Sequence, residues 1–223
     1  MENTSAILES PNDPVLQEDL DLLVQEGLVP FELLKGKTVF VTGATGLLGS
    51  QGVRTLACAN RRLGMDIQIL AFVRSLEKAE KVYQKLLERG DIQVVTGDVT
   101  KPIEYDGKVE YIIHGASATS SRYFVSNPVE TIMTAVNGTV NVLEFAREKQ
   151  AEGFLYMSSL EVYGTPAADA GNIDENYSGY INPLQARSSY SEGKRMVECL
   201  CASYAAEYHV PVKIVRLSQT FGA

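Results

Sequence analysis

Short, nearly continuous runs of β-branched, aromatic and aliphatic residues recur along this chain at 38–42, 67–73, 92–95, 109–113, 153–157 and 212–217. Such runs read as strands buried on both faces. Between them, apolar residues return every three or four positions: after the first strand to about Arg62, from 75 to 89, from 128 to 149 and from 188 to 208. That period is helical. Strands alternating with helices predict an α/β fold with a doubly wound parallel sheet, whose ligands lie at the carboxyl ends of the strands.

Two stretches fall outside this alternation. Ahead of the first strand, Leu16, Leu20 and Leu23 follow Asn12-Asp13-Pro14, a helix cap with proline in the first turn, and Gly27 ends the pattern. Residues 1–35 therefore form a helical extension and 36–223 the main domain. The simplest role of the extension is packing on the outside of its own domain, ahead of a subunit contact or a cover over the site. The second stretch, 158–186, is rich in Gly, Asn, Pro and Tyr. It is too long for a simple connection, and loops of that length tend to be functional. No internal repeat or low-complexity tract is present.

Hydrophobic residues make up 45 % and charged residues 22 %, which suits a globule with a sizeable core. The net charge of −8 argues against a nucleic-acid surface. It leaves room for an anionic ligand held by backbone N–H groups. Cys58, Cys199 and Cys201 show no metal or redox spacing and read as buried free thiols of a reducing compartment. No apolar run is long enough to span a membrane, and MENTSAILESPNDP lacks a charged-then-apolar leader. The expectation is a cytoplasmic protein with neither membrane nor nucleic-acid partner.

Chemistry enters at Lys37-Thr-Val-Phe-Val-Thr-Gly-Ala-Thr-Gly-Leu-Leu-Gly-Ser50, where a strand breaks into glycines and becomes a helix. Gly43 permits the turn, Gly46 lets backbone approach a pyrophosphate, and Gly49 lets the helix lie on the strand. Thr45, Leu47 and Leu48 share that turn, and the helix-start N–H groups face the phosphates. Taken alone, G-x-x-G-x-x-G is equally a βα turn that binds nothing. Tyr190-Ser-Glu-Gly-Lys194 sets a phenol and an ammonium four residues apart on one helix face. A neighbouring cation favours the phenolate of a tyrosine whose ordinary pKa is about 10. Tyr190 is thus a candidate base for a sugar or alcohol hydroxyl, with Lys194 also anchoring a ribose. Ser159 and Glu161 stand where the fifth strand ends. Ser159 would hydrogen-bond the reacting oxygen, and Glu161 is either a second acid–base group or a solvated loop carboxylate. The second strand ends Ala71-Phe-Val-Arg74, with no carboxylate to grip a ribose 2′-OH. Arg74 there either meets a 2′-phosphate, which favours NADP, stacks on adenine, or is merely a solvated cation. His114 and His209 lack acidic or cysteine partners at ligand spacing, so no metal site is expected. His114 reads as a strand cap beside the cofactor and His209 as a surface residue.

A glycine-rich first turn, a hydroxyl after strand five and a Tyr–Lys pair on the next helix occur together and in order. In this the chain resembles the extended short-chain dehydrogenase/reductases, the NAD-dependent epimerase/dehydratases of nucleotide sugars, over about residues 36–223. The resemblance implies a Rossmann fold, with Ser159, Tyr190 and Lys194 as the catalytic triad. It implies cofactor contacts from the glycine turn, from Asp98 and Val99 at the adenine, and from Gly115, Ala116 and Ser117. The stretches His114-Gly-Ala-Ser-Ala118, Tyr123, Asn127-Pro128, Gly179-Tyr-Ile-Asn-Pro183 and Arg187-Ser-Ser-Tyr-Ser-Glu-Gly-Lys-Arg195 are most similar to UDP-glucuronate decarboxylases. This implies NAD as cofactor, Glu161 as an active-site group, and Tyr123 and Arg187 near the substrate. Leu160 stands where nucleotide-sugar 4,6-dehydratases carry the aspartate of an Asp–Glu pair, which argues against dehydration. Ala135 stands where the family often has an asparagine, with Asn137 two positions on. The resemblance also implies a homodimer through the long helices and a smaller C-terminal substrate lobe that this chain lacks.

The expected activity is oxidation of a nucleotide sugar at C4 by NAD(P), followed by epimerisation, elimination or loss of a C5 carboxylate. Two other readings stay open: an NADPH-dependent reductase of a small carbonyl compound, resting on Arg74, and a dinucleotide-binding module without turnover. Retention of Ser159, Tyr190 and Lys194 together speaks against the last.

Overall fold

The computed structural model describes residues 7–118 and 120–221. Its strands are β1 (Thr38–Thr42), β2 (Gln68–Val73), β3 (Ile92–Thr96), β4 (Tyr111–His114), β5 (Gly153–Ser159) and β6 (Val212–Leu217). They form one parallel sheet in the order β3-β2-β1-β4-β5-β6. This is the doubly wound Rossmann arrangement expected from the alternation of strands and helices. β1 pairs with β2 through Val39 and Ile69 and with β4 through Val39 and Tyr111. The winding direction reverses between β1 and β4, and a crevice opens there at the carboxyl ends.

The period of two along β1 divides the core. Val39 and Val41 join Val53, Leu56 and Ala57 of α2 (Leu47–Leu63), whereas Phe40 joins Val142, Leu143 and Phe145 of α5 (Pro128–Lys149) on the other face. α5 packs along α6 (Ser188–Tyr208), and these two helices carry the second face.

Several elements differ from the sequence expectation. The helix expected over 75–89 splits into α3 (Leu76–Tyr83) and a 3₁₀ turn (Gln84–Arg89), because Gln84 adopts a left-handed φ of 48°. A short helix, α4 (Ser121–Ser126), was not expected; six residues between Ser120 and Asn127-Pro128 carry too little periodicity to read. The strand expected over 109–113 is β4 at Tyr111–His114. Glu110 instead accepts the backbone N–H of Thr38 at 2.9 Å. α1 (Pro14–Gln25) is capped by Asp13, which accepts the N–H of Leu16. Its buried stripe runs through Leu20 and Val24, while Leu23 is 38 % exposed. The stripe packs on α2.

Beneath α1 lies a buried charge cluster. Glu9 is fully buried. It accepts from Arg61 Nε and Nη2, from Arg89 Nη1 and from Gln17 Nε2, within 2.5–3.1 Å. Burial alone would raise its carboxyl pKa, but the arginine and glutamine donors hold it below the ordinary value. Asp21 and Cys58 complete a trio within metal-ligand reach of one another, and Arg61 Nη2 contacts all three, at 2.5–3.6 Å. Of the cysteines, Cys58 and Cys201 are buried as expected and Cys199 is exposed. Among the described residues no helix is long and apolar enough to cross a membrane.

Candidate active site

The chain leaves β1 through Gly43, at a φ of +69°, where a Cβ would lie 2.7–2.8 Å from the backbone of Gly115 and Ala116. Gly43 is thus needed for the turn and also for the close passage of the segment leaving β4. A Cβ at Gly49 would sit 2.2 Å from the Gly43 carbonyl oxygen, so strand and helix touch backbone to backbone. Gly46 begins α2, and no side chain caps that helix. Its first-turn N–H groups and its dipole therefore suit a phosphate, and the bare glycine floor fits a pyrophosphate. Behind the turn, the Tyr83 hydroxyl donates to the Ala44 carbonyl, and Arg54 lies 5.9 Å from the Tyr83 ring centroid.

A cleft of about 1700 Å³ runs from this turn across the sheet edge to α6. Gly43, Thr45, Gly46, Leu47, Leu48, Gly49, Arg74, Asp98, Val99, Gly115, Ala116, Ser117, Tyr123, Ser159, Glu161, Tyr190 and Lys194 all line it. Asp98 accepts from Thr100 N and Oγ1 at 2.9 Å each, and these bonds hold its carboxyl below the usual range. Arg74 borders the same cleft at the end of β2. Asn137 faces the cleft, whereas Ala135 lies against Gly193 where α5 meets α6. Tyr123 lies beside Glu130, whose hydrogen bond raises its phenol pKa. His114 is not among the lining residues. It is buried between Thr42 Oγ1 (2.7 Å) and Thr139 Oγ1 (3.0 Å), and burial, with help from Lys194, drives its pKa down to about 3. This neutral imidazole braces β1 and β4 against α5.

Alternation along β5 sends Ser158 to Glu198 and Ser159 to the cleft. Ser159 Oγ accepts from Glu161 N at 3.2 Å, starting the 3₁₀ turn Leu160–Tyr163, and the hydroxyl lies near enough to the Tyr190 phenol to lower its pKa. Lys194 is 4 % exposed. Its Nζ donates to the Met157 carbonyl at 2.7 Å and lies 5.7 Å from the Tyr190 ring centroid. Burial lowers the lysine to about 8. The sequence suggested that this cation would lower the phenol. Here burial raises Tyr190, opposed chiefly by Ser159, while Lys194 is turned toward the backbone of β5.

Glu161 is not a solvated loop carboxylate. Arg187 grips it with both terminal nitrogens, at 3.0 and 2.6 Å, and Ser191 Oγ donates at 2.6 Å. Burial pushes its pKa up, but these donors bring it below the ordinary value. Arg187, expected beside the substrate, is not among the residues lining the cleft; it holds Glu161 instead. Of the long stretch 158–186, Ser158–Glu161 reaches the cleft. The remainder folds back through a Thr165–Tyr180 bridge and Arg195 bonds to Val162 and Gly179. Sequence reasoning missed Phe124, whose ring stacks on Tyr190 with centroids 4.2 Å apart and planes 8° from parallel.

Residues 39–223 match the family model for the NAD dependent epimerase/dehydratase family. Among curated proteins, the chain is 30 % identical over 209 residues to UDP-glucuronic acid decarboxylase 1 of Danio rerio, covering 92 % of this chain and 47 % of the relative. It is 35 % identical over 197 residues to UDP-glucuronic acid decarboxylase 2 of Arabidopsis thaliana, covering 88 % and 42 %. The chain spans about half the length of the curated relatives it matches. Among solved structures, UDP-glucuronic acid 4-epimerase from Bacillus cereus in complex with NAD superposes with a TM-score of 0.66 at 20 % identity, over 83 % of this chain and 57 % of that one. dTDP-glucose 4,6-dehydratase from Bacillus anthracis in complex with NAD gives 0.64 at 19 %, over 83 % and 56 %. At such identities these structures establish the fold.

Proposed function

The chain belongs to the NAD-dependent epimerase/dehydratase family, and from that membership we propose that it serves an enzyme that oxidises a nucleotide sugar at C4. The observation that carries this reading is the convergence of Ser159, Tyr190 and Lys194 on one cleft that begins at a bare glycine turn. Gly43, Gly46, Gly49 and the α2 N-terminus would hold the pyrophosphate, and Asp98 and Val99 the adenosine end. When bound, NAD supplies the acceptor for the C4 hydride. Tyr190 takes the hydroxyl proton, and Ser159 holds the same oxygen in place. Lys194, with a pKa of about 8, exchanges its proton near neutral pH and compensates charge on the phenol.

A ketone at C4 acidifies its neighbours, and Glu161 is the group for the proton transfer that follows. Its carboxylate is ionised and lies in the cleft wall, so it takes the proton where C5 gives one up and, where C5 must gain one, holds the water that supplies it. The decarboxylase relatives support a nucleotide-linked uronic acid that loses its C5 carboxylate as CO₂; the electron pair passes to the C4 enolate, C5 then takes a proton from that water, and the hydride removed in the first step returns to C4. In the intact protein with NAD and a panel of nucleotide sugars, nicotinamide absorbance reports the first step. Tyr190→Phe lowers turnover by ~10²–10⁴, and unchanged turnover removes the proposal. The same titration with NADP tests Arg74, since a 2′-phosphate partner would show as tighter NADP binding.

The working unit is a homodimer through α5 and α6. Exposed Val129 and Ile132 on α5 and Met196 on α6 support this, and sedimentation of a monomer at micromolar concentration would count against it. A reducing, cytoplasmic setting is supported by the free cysteines. Residues 7–35 act as a brace for the domain that follows them.

A further inference from the structure

We propose that Phe124 is a positioning residue for Tyr190: its ring, stacked on the phenol ring and also met by the Arg187 guanidinium, fixes the phenol beside Ser159 and keeps water from it. The inference deepens the reading above, since it takes Tyr190 as the proton acceptor. Three independent contacts hold the stack. Phe124 is 2 % exposed and lies almost parallel to Tyr190, 4.2 Å away. The Arg187 guanidinium carbon lies 5.3 Å from the Phe124 ring centroid, and Arg187 is itself fixed by Glu161. Ser189 Oγ donates to the Phe124 carbonyl at 3.3 Å, tying α4 to the start of α6. The turn after β5, the short α4 and the first turn of α6 thus meet in one stack.

A tyrosine has two rotatable side-chain bonds, and a flat neighbour in parallel contact leaves its ring one orientation. The same neighbour removes solvent from one face, which fits burial as the chief influence on this phenol. The charged and titratable groups around it are Glu161 from the 3₁₀ turn, Arg187 and Lys194 from α6, and Tyr156 from β5. α4 contributes the apolar Phe124 to this shell. Phe124 therefore acts on the phenol through shape and exclusion of water.

The test is a titration of the chain labelled with ¹³C at the tyrosine ring carbon bearing oxygen. Tyr190→Phe identifies the resonance of Tyr190 by its loss. Phe124→Leu is expected to move the Tyr190 midpoint down by about one pH unit, and Phe124→Tyr, which keeps a ring in place, to leave it raised. An unmoved midpoint in a folded Phe124→Leu protein overturns the proposal; if that variant does not fold, Phe124→Met carries the same expectation. With substrate and NAD, the leucine variant should lose roughly tenfold in kcat at unchanged KM, its acidic limb moving down with the midpoint. Full turnover in Tyr190→Phe would instead overturn the role given to Tyr190, a result the titration of Phe124 variants does not produce.

Discussion

Glu9 and Glu161 are both ionised carboxylates gripped by arginine, one beneath α1 and one at the cleft, and their surroundings differ in completeness. Around Glu9 both oxygens are occupied by Arg61, Arg89 and Gln17, and the arginines continue to Asp21 and Asp91. Around Glu161 both oxygens are occupied too, by Arg187 and Ser191, but the groups beside it have fewer partners. Lys194 has one backbone carbonyl, and Tyr190 has Ser159. A saturated cluster drives acid and base apart, so that Glu9 is lowered and Arg61 raised. An unsaturated one brings a lysine down toward neutral pH, where a proton can move. Charges that meet an opposite charge hold the fold here, and the buried lysine bonded to a carbonyl rather than a carboxylate is the one left able to move a proton.

This contrast is broken most severely by Glu9→Ala. Arg61 and the nearly buried Arg89 would lose Glu9 and keep only Asp21 and Asp91, at a cost of about 3 kcal/mol and roughly 10 °C in Tm, read by thermal and denaturant melts. The linked pH effect has a definite sign. Because the folded pKa of Glu9 is depressed, its contribution is complete above the unfolded value of about 4.3 and disappears as pH falls through the lower folded value. The alanine variant should lack that acid-side slope. Lys194→Met shifts stability the other way. The lysine titrates near 8 in the folded chain and at about 10.4 unfolded, so burial penalises its charged form fully below pH 8. That penalty is relieved as pH rises from 8 to about 10. The methionine variant, although inactive, should therefore be more stable at pH 7 by ~1 kcal/mol after loss of the Met157 hydrogen bond, with no advantage above pH 10. The smallest stability effect belongs to Arg187→Gln, under about 1 kcal/mol because Arg187 is 40 % exposed. Its useful signature is elsewhere: burial then acts on Glu161 with one donor fewer, and ¹³C carboxyl titration should show that group moving up.

How much of this could be read from the chain depends on sequence distance. The glycine turn and the Tyr190–Lys194 pair are local patterns whose spacing fixes their geometry, and both arrived at the cleft as expected. Gln84 was illegible because nothing in a charged helical run announces a left-handed residue. Phe124 and Tyr190 stand far apart in sequence, on a helix too short to recognise and one recognised for other reasons, so their stack exists only after folding. Arg187 was expected near the substrate, and the structure adds its grip on Glu161, because a resemblance reports where a residue sits and not which neighbour claims its hydrogen bonds. The direction of the Tyr190 shift failed for a related reason. Spacing revealed a nearby cation, but desolvation needs the packed environment to be known.

Tyr83 rivets the glycine turn through the Ala44 carbonyl, and Arg54, lying over that ring, also clasps the carbonyls of Glu9 and Val82. The segment around Glu9 is thereby tied through two side chains to the floor of the crevice. A cut or a pull at the segment around Glu9 would reach the glycine turn from behind, through Arg54 and Tyr83, neither of which lines the cleft.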